Sequence, residues 1–114
     1  MDKMPFGTLR FNHPKAYQFL RENGFVYTIR GYRKKFRRVV ILHNGAKVAL
    51  GKAELIDKVL WWENGKRRVN FNLLEKYVQY SGFDSVEEWL STAMRLNGLQ
   101  FLYLYKVTVW RWYI

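Results

Sequence analysis

The sequence contains no cysteine, and that absence removes several chemistries at once. There can be no disulfide, no thiolate metal site and no cysteine nucleophile. Histidine is nearly as scarce: His13 and His43 are the only two, and they lack the close spacing with which paired histidines hold a metal. No metal or cofactor is expected. No apolar run approaches the roughly 20 residues of a membrane-spanning helix. The first residues lack the charged-then-apolar order of a signal peptide. These absences lead to the expectation of a cytoplasmic protein that does not enter membranes. There is no P-loop and no GxGxxG pattern. Acidic residues are the last deficit, with 9 Asp+Glu against 20 Lys+Arg. Asp57, Glu63, Glu75, Asp84, Glu87 and Glu88 show no paired arrangement of the kind that general acid–base chemistry uses.

What remains is a strongly basic chain. Its formal net charge is +11 over 114 residues. Thermophile-type surfaces add Glu together with Lys and build paired networks; here the acids are too few. A positive field of this size raises encounter rates and affinity for polyanions, so nucleic acid is the expected partner, RNA first and single-stranded DNA second. Apolar residues make up 49% of the chain, enough for a core, and the length suits a single domain over residues 1–114.

The pattern of residues predicts an α+β protein. Residues 8–11 read as a first strand. Asn12 is placed to cap a helix beginning at His13-Pro14, with Gly24 at its left-handed end. Residues 25–30 (FVYTIR) are aromatic and β-branched, which predicts a strand, and residues 39–42 predict another. Asn44-Gly45 is a type I′ hairpin signal, so a return strand is expected over residues 47–50. Gly51 marks a bend or bulge, residues 53–61 continue as strand, and residues 63–66 form a turn. Leu73, Leu74, Tyr77 and Val78 have helical spacing, with Asn70 or Asn72 as cap. Ser85-Val86-Glu87-Glu88 is a capping box ahead of the stripe Val86, Trp89, Leu90, Ala93 and Met94. Asn97-Gly98 ends that helix, and residues 101–110 form the last strand. The expected order is β-α-β-β-β-α-α-β, and short strands with an Asn-Gly hairpin suggest a small mixed barrel with helices over its openings.

The densest charge lies at residues 30–38, where Arg30, Arg33, Lys34, Lys35, Arg37 and Arg38 occur with no acid among them. Cations this close repel one another and are best accommodated by phosphates, which arginine can hold with two hydrogen bonds. Tyr32 and Phe36 interleave with them and could stack on unpaired bases. The alternative is a solvated loop whose aromatics tuck inward. Lys66, Arg67 and Arg68 form a second basic cluster beside Trp61-Trp62. Arg10, Lys47 and Lys52 would join a basic face if the fold brings them together. Of the aromatics, Phe19, Trp89, Phe101 and Tyr103 are expected in the core. The tail at residues 109–114 either docks to complete a barrel edge or offers a contact surface, and docking is expected. No catalytic residue stands out: Tyr27, Thr28, Lys52 and His43 could be drafted into RNA cleavage, but nothing singles them out. Both histidines are expected at the surface.

Three segments carry a family resemblance: residues 21–30 (RENGFVYTIR), residues 48–55 (VALGKAEL), and residues 80–90 (YSGFDSVEEWL) followed by FLYLY at 101–105. They resemble the ASCH group of the PUA-like fold. The family's GxKxxExR pattern is only partly present. If Arg30 takes the final Arg, then Asn23, Phe25 and Thr28 fall on its Gly, Lys and Glu. If Gly24 takes the Gly, then Val26 and Ile29 stand at the Lys and Glu, and Gly31 replaces the Arg. The resemblance implies a β-barrel with an RNA- or nucleotide-binding cleft beside the first helix. Some members are linked to ribonuclease or amidohydrolase activity, and the missing Lys and Glu leave binding as the better inheritance. The expectation is a nucleic-acid-binding domain that uses Arg30, Tyr32, Arg33, Lys34, Lys35, Arg37, Arg38 and Lys52. The first alternative is a small hydrolase with Lys52, Tyr27, Thr28 and Arg30 in one cleft. The second is an interaction domain, a monomer or weak dimer associating through its C-terminal strand.

Overall fold

The structure is a computed structural model that describes residues 6–31, 38–98 and 100–113. Strand β1 (Gly7–Arg10) leads into helix α1 (Pro14–Asn23). The cap of α1 is His13 and not Asn12: the His13 ring Nδ1 accepts from the Lys15 N–H at 3.3 Å. Asn12 serves a neighbouring hairpin, its Oδ1 accepting from the Asn44 N–H at 2.8 Å. Gly24 ends the helix as expected, at φ 77°, with its N–H donating to the Leu20 carbonyl.

Strands β2 (Phe25–Arg30), β3 (Val39–His43) and β4 (Ala46–Glu63) follow. The two expected segments after the first hairpin are one 18-residue strand, β4. Its far end turns back into β5 (Lys66–Val69), a strand not foreseen, because three successive cations give no apolar alternation to read. Both hairpin turns are Asn-Gly with positive φ at each central residue, 50° and 84° at Asn44-Gly45 and 51° and 74° at Asn64-Gly65. These are the type I′ values that match strand twist. Helix α2 (Phe71–Tyr77) is capped by Asn70, a 3₁₀ turn spans Val78–Tyr80, and α3 (Val86–Asn97) leads to β6 (Leu102–Trp112). Ser85 caps α3, its Oγ accepting from the Glu88 N–H at 3.1 Å. The Glu88 carboxylate turns back as a capping box requires, but onto the Asp84 N–H.

One six-stranded sheet has the order β1-β3-β4-β6-β2, with β5 attached to β4. Among the described residues only the β1–β3 pair is parallel. The β4–β6 ladder is the spine, and its register shifts at three places, between Leu50 and Gly51, Leu55 and Asp57, and Lys58 and Leu60. Such bulges bend and twist a strand. At the first of them Gly51 is buried, and a Cβ there would collide with the Thr108 carbonyl oxygen. The curvature brings the edge strands β1 and β2 to opposite sides of one cleft, yet no ladder among the described residues joins them. The expected closed barrel is therefore corrected to a curled, open sheet. Side chains stand where closing hydrogen bonds would be, Arg30 at the end of β2 meeting Phe11 just after β1.

The sheet separates two apolar layers. Alternation along β2 and β6 sends Val26, Tyr105 and Val107 to one face, where they pack with Leu9, Phe11, Ala16 and Leu20 under α1. Ile29, Leu102 and Leu104 go to the other, with Leu74, Trp89, Leu90 and Ala93 from α2 and α3. Lys15 links the two helical layers through Glu88 at 2.6 Å and Asp84 at 3.2 Å. Phe19 and Tyr103 are half-buried and Trp89 is buried, but Phe101, expected in the core, is exposed because it precedes the first paired residue of β6. The tail docks as expected: Trp112 pairs with Ala49, and the Tyr113 N–H donates to the Val48 carbonyl. It docks within an open sheet, however, and Trp110 remains exposed.

Candidate functional site

The main cavity of the described residues is a cleft of about 950 Å³ at the gap between the sheet edges. β1 contributes Thr8 and Arg10, and β2 contributes Thr28, Ile29 and Arg30. Phe11 follows β1, His13 and Pro14 come from the start of α1, and Thr92, Ala93 and Asn97 from α3. Phe6, Phe83 and Trp89 add aromatic surface. None of the described lining residues is Asp or Glu, whereas two are arginine.

The alternation of β2 explains how Arg30 reaches the cleft. Val26, Thr28 and Arg30 share a face, and β2 pairs with β6 on one side only, so the end of this face meets open space. Thr28 orients the guanidinium, accepting from Arg30 Nε at 3.1 Å. Phe11 supports it from below, with the guanidinium carbon 4.6 Å from the ring centroid, a cation–π distance. Asn97 holds the backbone just beyond, its Oδ1 accepting from the Gly31 N–H at 3.2 Å. This side chain also fills the place a Cβ at residue 31 would approach. His13 packs against Phe83 at 4.9 Å between ring centroids. Burial, and after it the positive charge of Arg95, lower its pKa below the usual 6.5, so at neutral pH the ring is neutral.

The expected site residues divide into three groups. Arg30 lines the cleft, and Arg38 stands at its rim, 5.9 Å from the ring of the lining residue Phe6. Tyr32, Arg33, Lys34, Lys35 and Arg37 lie outside the described residues. Lys66, Arg67 and Arg68 are on β5 and do not line the cleft. Lys52 is corrected: it pairs across the sheet with Thr108, which pairs with Phe25, so pleat parity puts it on the face opposite Thr28 and Arg30. There it meets Glu54 at 3.5 Å.

The same parity divides the residues drafted for hydrolysis, because Tyr27 and Lys52 are on one face while Thr28 and Arg30 are on the other. Tyr27 stacks on Tyr77 at 4.4 Å, and burial raises its pKa above the usual 10.0, which keeps its proton on. His43 stacks on Tyr17 at 3.7 Å and bonds the Phe11 carbonyl through Nδ1. Neither histidine is fully at the surface as expected. Among the described residues no cluster of His, Asp and Glu could hold a metal ion. Sequence reasoning passed over Phe11, His13, Thr92 and Asn97. The available signal was weak: polar Thr8 and Arg10, and polar Thr28 and Arg30, alternate with apolar neighbours at the end of their strands.

The fold and site define a basic α+β domain with an open cleft at its sheet edges. The chain matches no protein-family model, and no solved structure matches it. It is similar to "Uncharacterized protein 105" of Sulfolobus islandicus rod-shaped virus 1, with 35% identity over 75 residues. The matched region covers 64% of this chain and 61% of the viral protein. No helix among the described residues is long and apolar enough to cross a membrane.

Proposed function

We propose that this chain binds nucleic acid, RNA or another single strand, in the cleft between β1 and β2. The observation that carries the reading is the lining: Arg10 and Arg30 from opposite sheet edges, aromatic surface beside them, and no carboxylate among the described lining residues. A phosphate entering this cleft meets guanidinium groups on two sides and no repelling charge. An unpaired base following it meets the partly exposed rings of Phe6, His13 and Phe83. A duplex keeps its bases stacked inside and cannot use these surfaces. The net charge of +11 supplies long-range attraction. The likeness to the ASCH group is part of the same proposal, since it too implies an RNA- or nucleotide-binding cleft beside the first helix. On this reading the protein works in the cytoplasm as a binder and not as a hydrolase.

The test is fluorescence anisotropy with labelled single-stranded RNA and DNA at two salt concentrations. With about four phosphates neutralised, log K falls against log salt with a slope of about −3. Replacing Arg10 and Arg30 together by alanine lowers affinity and flattens that slope. Salt-independent binding, or none near physiological salt, would sink the proposal.

A further inference from the structure

The end of β4 and β5 form a two-stranded ribbon that leaves the body of the sheet. The β4–β6 ladder stops at the Leu60–Leu102 pair, but β4 runs on to Glu63 and is paired there by β5 alone. Leu60 and Val69 root the ribbon in the apolar layer under α2 and α3. Beyond them Trp62 is 45% exposed, and Lys66, Arg67 and Arg68 are all exposed. The register sets their faces. Trp61 lies opposite Arg68 and Glu63 opposite Lys66 on one face, and Trp62 lies opposite Arg67 on the other. Cations thus stand on both faces. The single acid, Glu63, is engaged by Arg68 at 3.6 Å, so Lys66 and Arg67 dominate the tip.

From this geometry we infer a second contact element: the β4–β5 ribbon is an arm for duplex DNA that lies in a groove with a phosphate backbone against each face. A single strand offers one backbone and cannot engage both faces at once. A groove offers two. A sheet with its side chains is about 10 Å thick, and the major groove is about 12 Å wide and admits a two-stranded ribbon. The A-form groove of duplex RNA is too narrow and deep for side chains to read. Trp62, beside Arg67 on one face, supplies apolar surface for the sugars of the backbone it meets. No ribbon residue lines the cleft, so the inference stands independently of the cleft reading.

The experiment compares the full chain with the Lys66→Glu/Arg67→Glu variant on a short DNA duplex and on a single strand of the same sequence, each over a salt series. Duplex affinity is expected to fall at least about tenfold, with the log–log salt slope flatter by about 1.8 for two lost phosphate contacts. Single-strand affinity should change by less than about threefold. Should the charge reversal lower the melting temperature, the neutral Lys66→Gln/Arg67→Gln pair is expected to lose the same increment of slope. The inference is overturned if the unaltered chain does not bind the duplex. It is equally overturned if the variants bind duplex as the unaltered chain does, or if both affinities fall in parallel. The Arg10→Ala/Arg30→Ala chain separates the two readings, because it tests single-strand binding with the ribbon intact.

Discussion

Arg30 sits over the ring of Phe11, its guanidinium carbon 4.6 Å from the centroid, and this contact spans the two edges of an open sheet. Arg30 follows five other residues of β2, and Phe11 comes directly after β1. One contact therefore bridges the gap and places a guanidinium at the cleft wall.

Removing that side chain tests both roles. Arg30→Ala is expected to weaken single-strand binding about tenfold, near 1.4 kcal/mol, the size of one charge-assisted hydrogen bond. The salt slope should flatten by about 0.7. Arg30→Lys keeps the charge but loses the planar fork, so it should restore the slope and only part of the affinity. Anisotropy titrations at two salt concentrations read both quantities, and a lysine variant with full affinity would argue against a bidentate contact.

His13 offers a local reporter. Its pKa is held below 6.5 by burial and by Arg95. A phosphate in the cleft adds negative charge and raises it. A ligand that raises a pKa binds more tightly as pH falls through the region between the free and bound values, so single-strand affinity should grow as pH drops below about 6.5. NMR titration of the His13 ring with and without an oligonucleotide measures the shift directly. An unmoved pKa would mean that the ligand sits elsewhere.

The Lys15–Glu88 pair predicts a different pH dependence, in stability. The hydrogen bond from Lys15, and after it the one from the Asp84 backbone, hold the Glu88 pKa below 4.5. Its folded pKa is depressed, so the contribution is present above 4.5 and is lost as pH falls through the folded value. Lys15 is raised above 10.5, chiefly by its hydrogen bond to Glu88, and its contribution is lost as pH rises past that. Glu88→Gln should therefore flatten the acid limb of a plot of Tm against pH and make the alkaline limb above 10.5 less steep as well. Melting curves by circular dichroism across the acid range are the measurement.

Gly51 should be intolerant of substitution. The β4–β6 ladder passes so close that a methyl group would meet the Thr108 carbonyl. Gly51→Ala is expected to cost about 1–3 kcal/mol through backbone displacement. Since the bulge there helps curl the sheet, single-strand affinity should fall too. Urea unfolding at fixed pH gives the stability, and a loss under about 0.5 kcal/mol would show that the ladder gives way easily.

Much of the fold was legible in local chemistry. The Asn-Gly turns, Gly24, Ser85 and Asn97-Gly98 act within a few residues, so they read directly. The missed strand β5 carries its charges outward on both faces and so gives no periodic signal. The cleft was half legible. Arg30 stands out by charge and by the partial family pattern, but Phe11 and Asn97 look like any aromatic and any helix-ending amide until the chain brings them beside it.

The sequence by itself determined the Asn-Gly turns and the glycine ends of α1 and α3, and that the chain would be basic and without thiols, because these follow from local backbone preferences and composition. Only the tertiary structure decided which face each side chain occupies. Lys52 and Arg30 look equally suited to one cleft, yet pairing register puts them on opposite sides of a single pleated sheet. Register depends on contacts between distant segments, and so does the curl that stops short of closing the barrel and leaves the gap that Arg30 and Phe11 share.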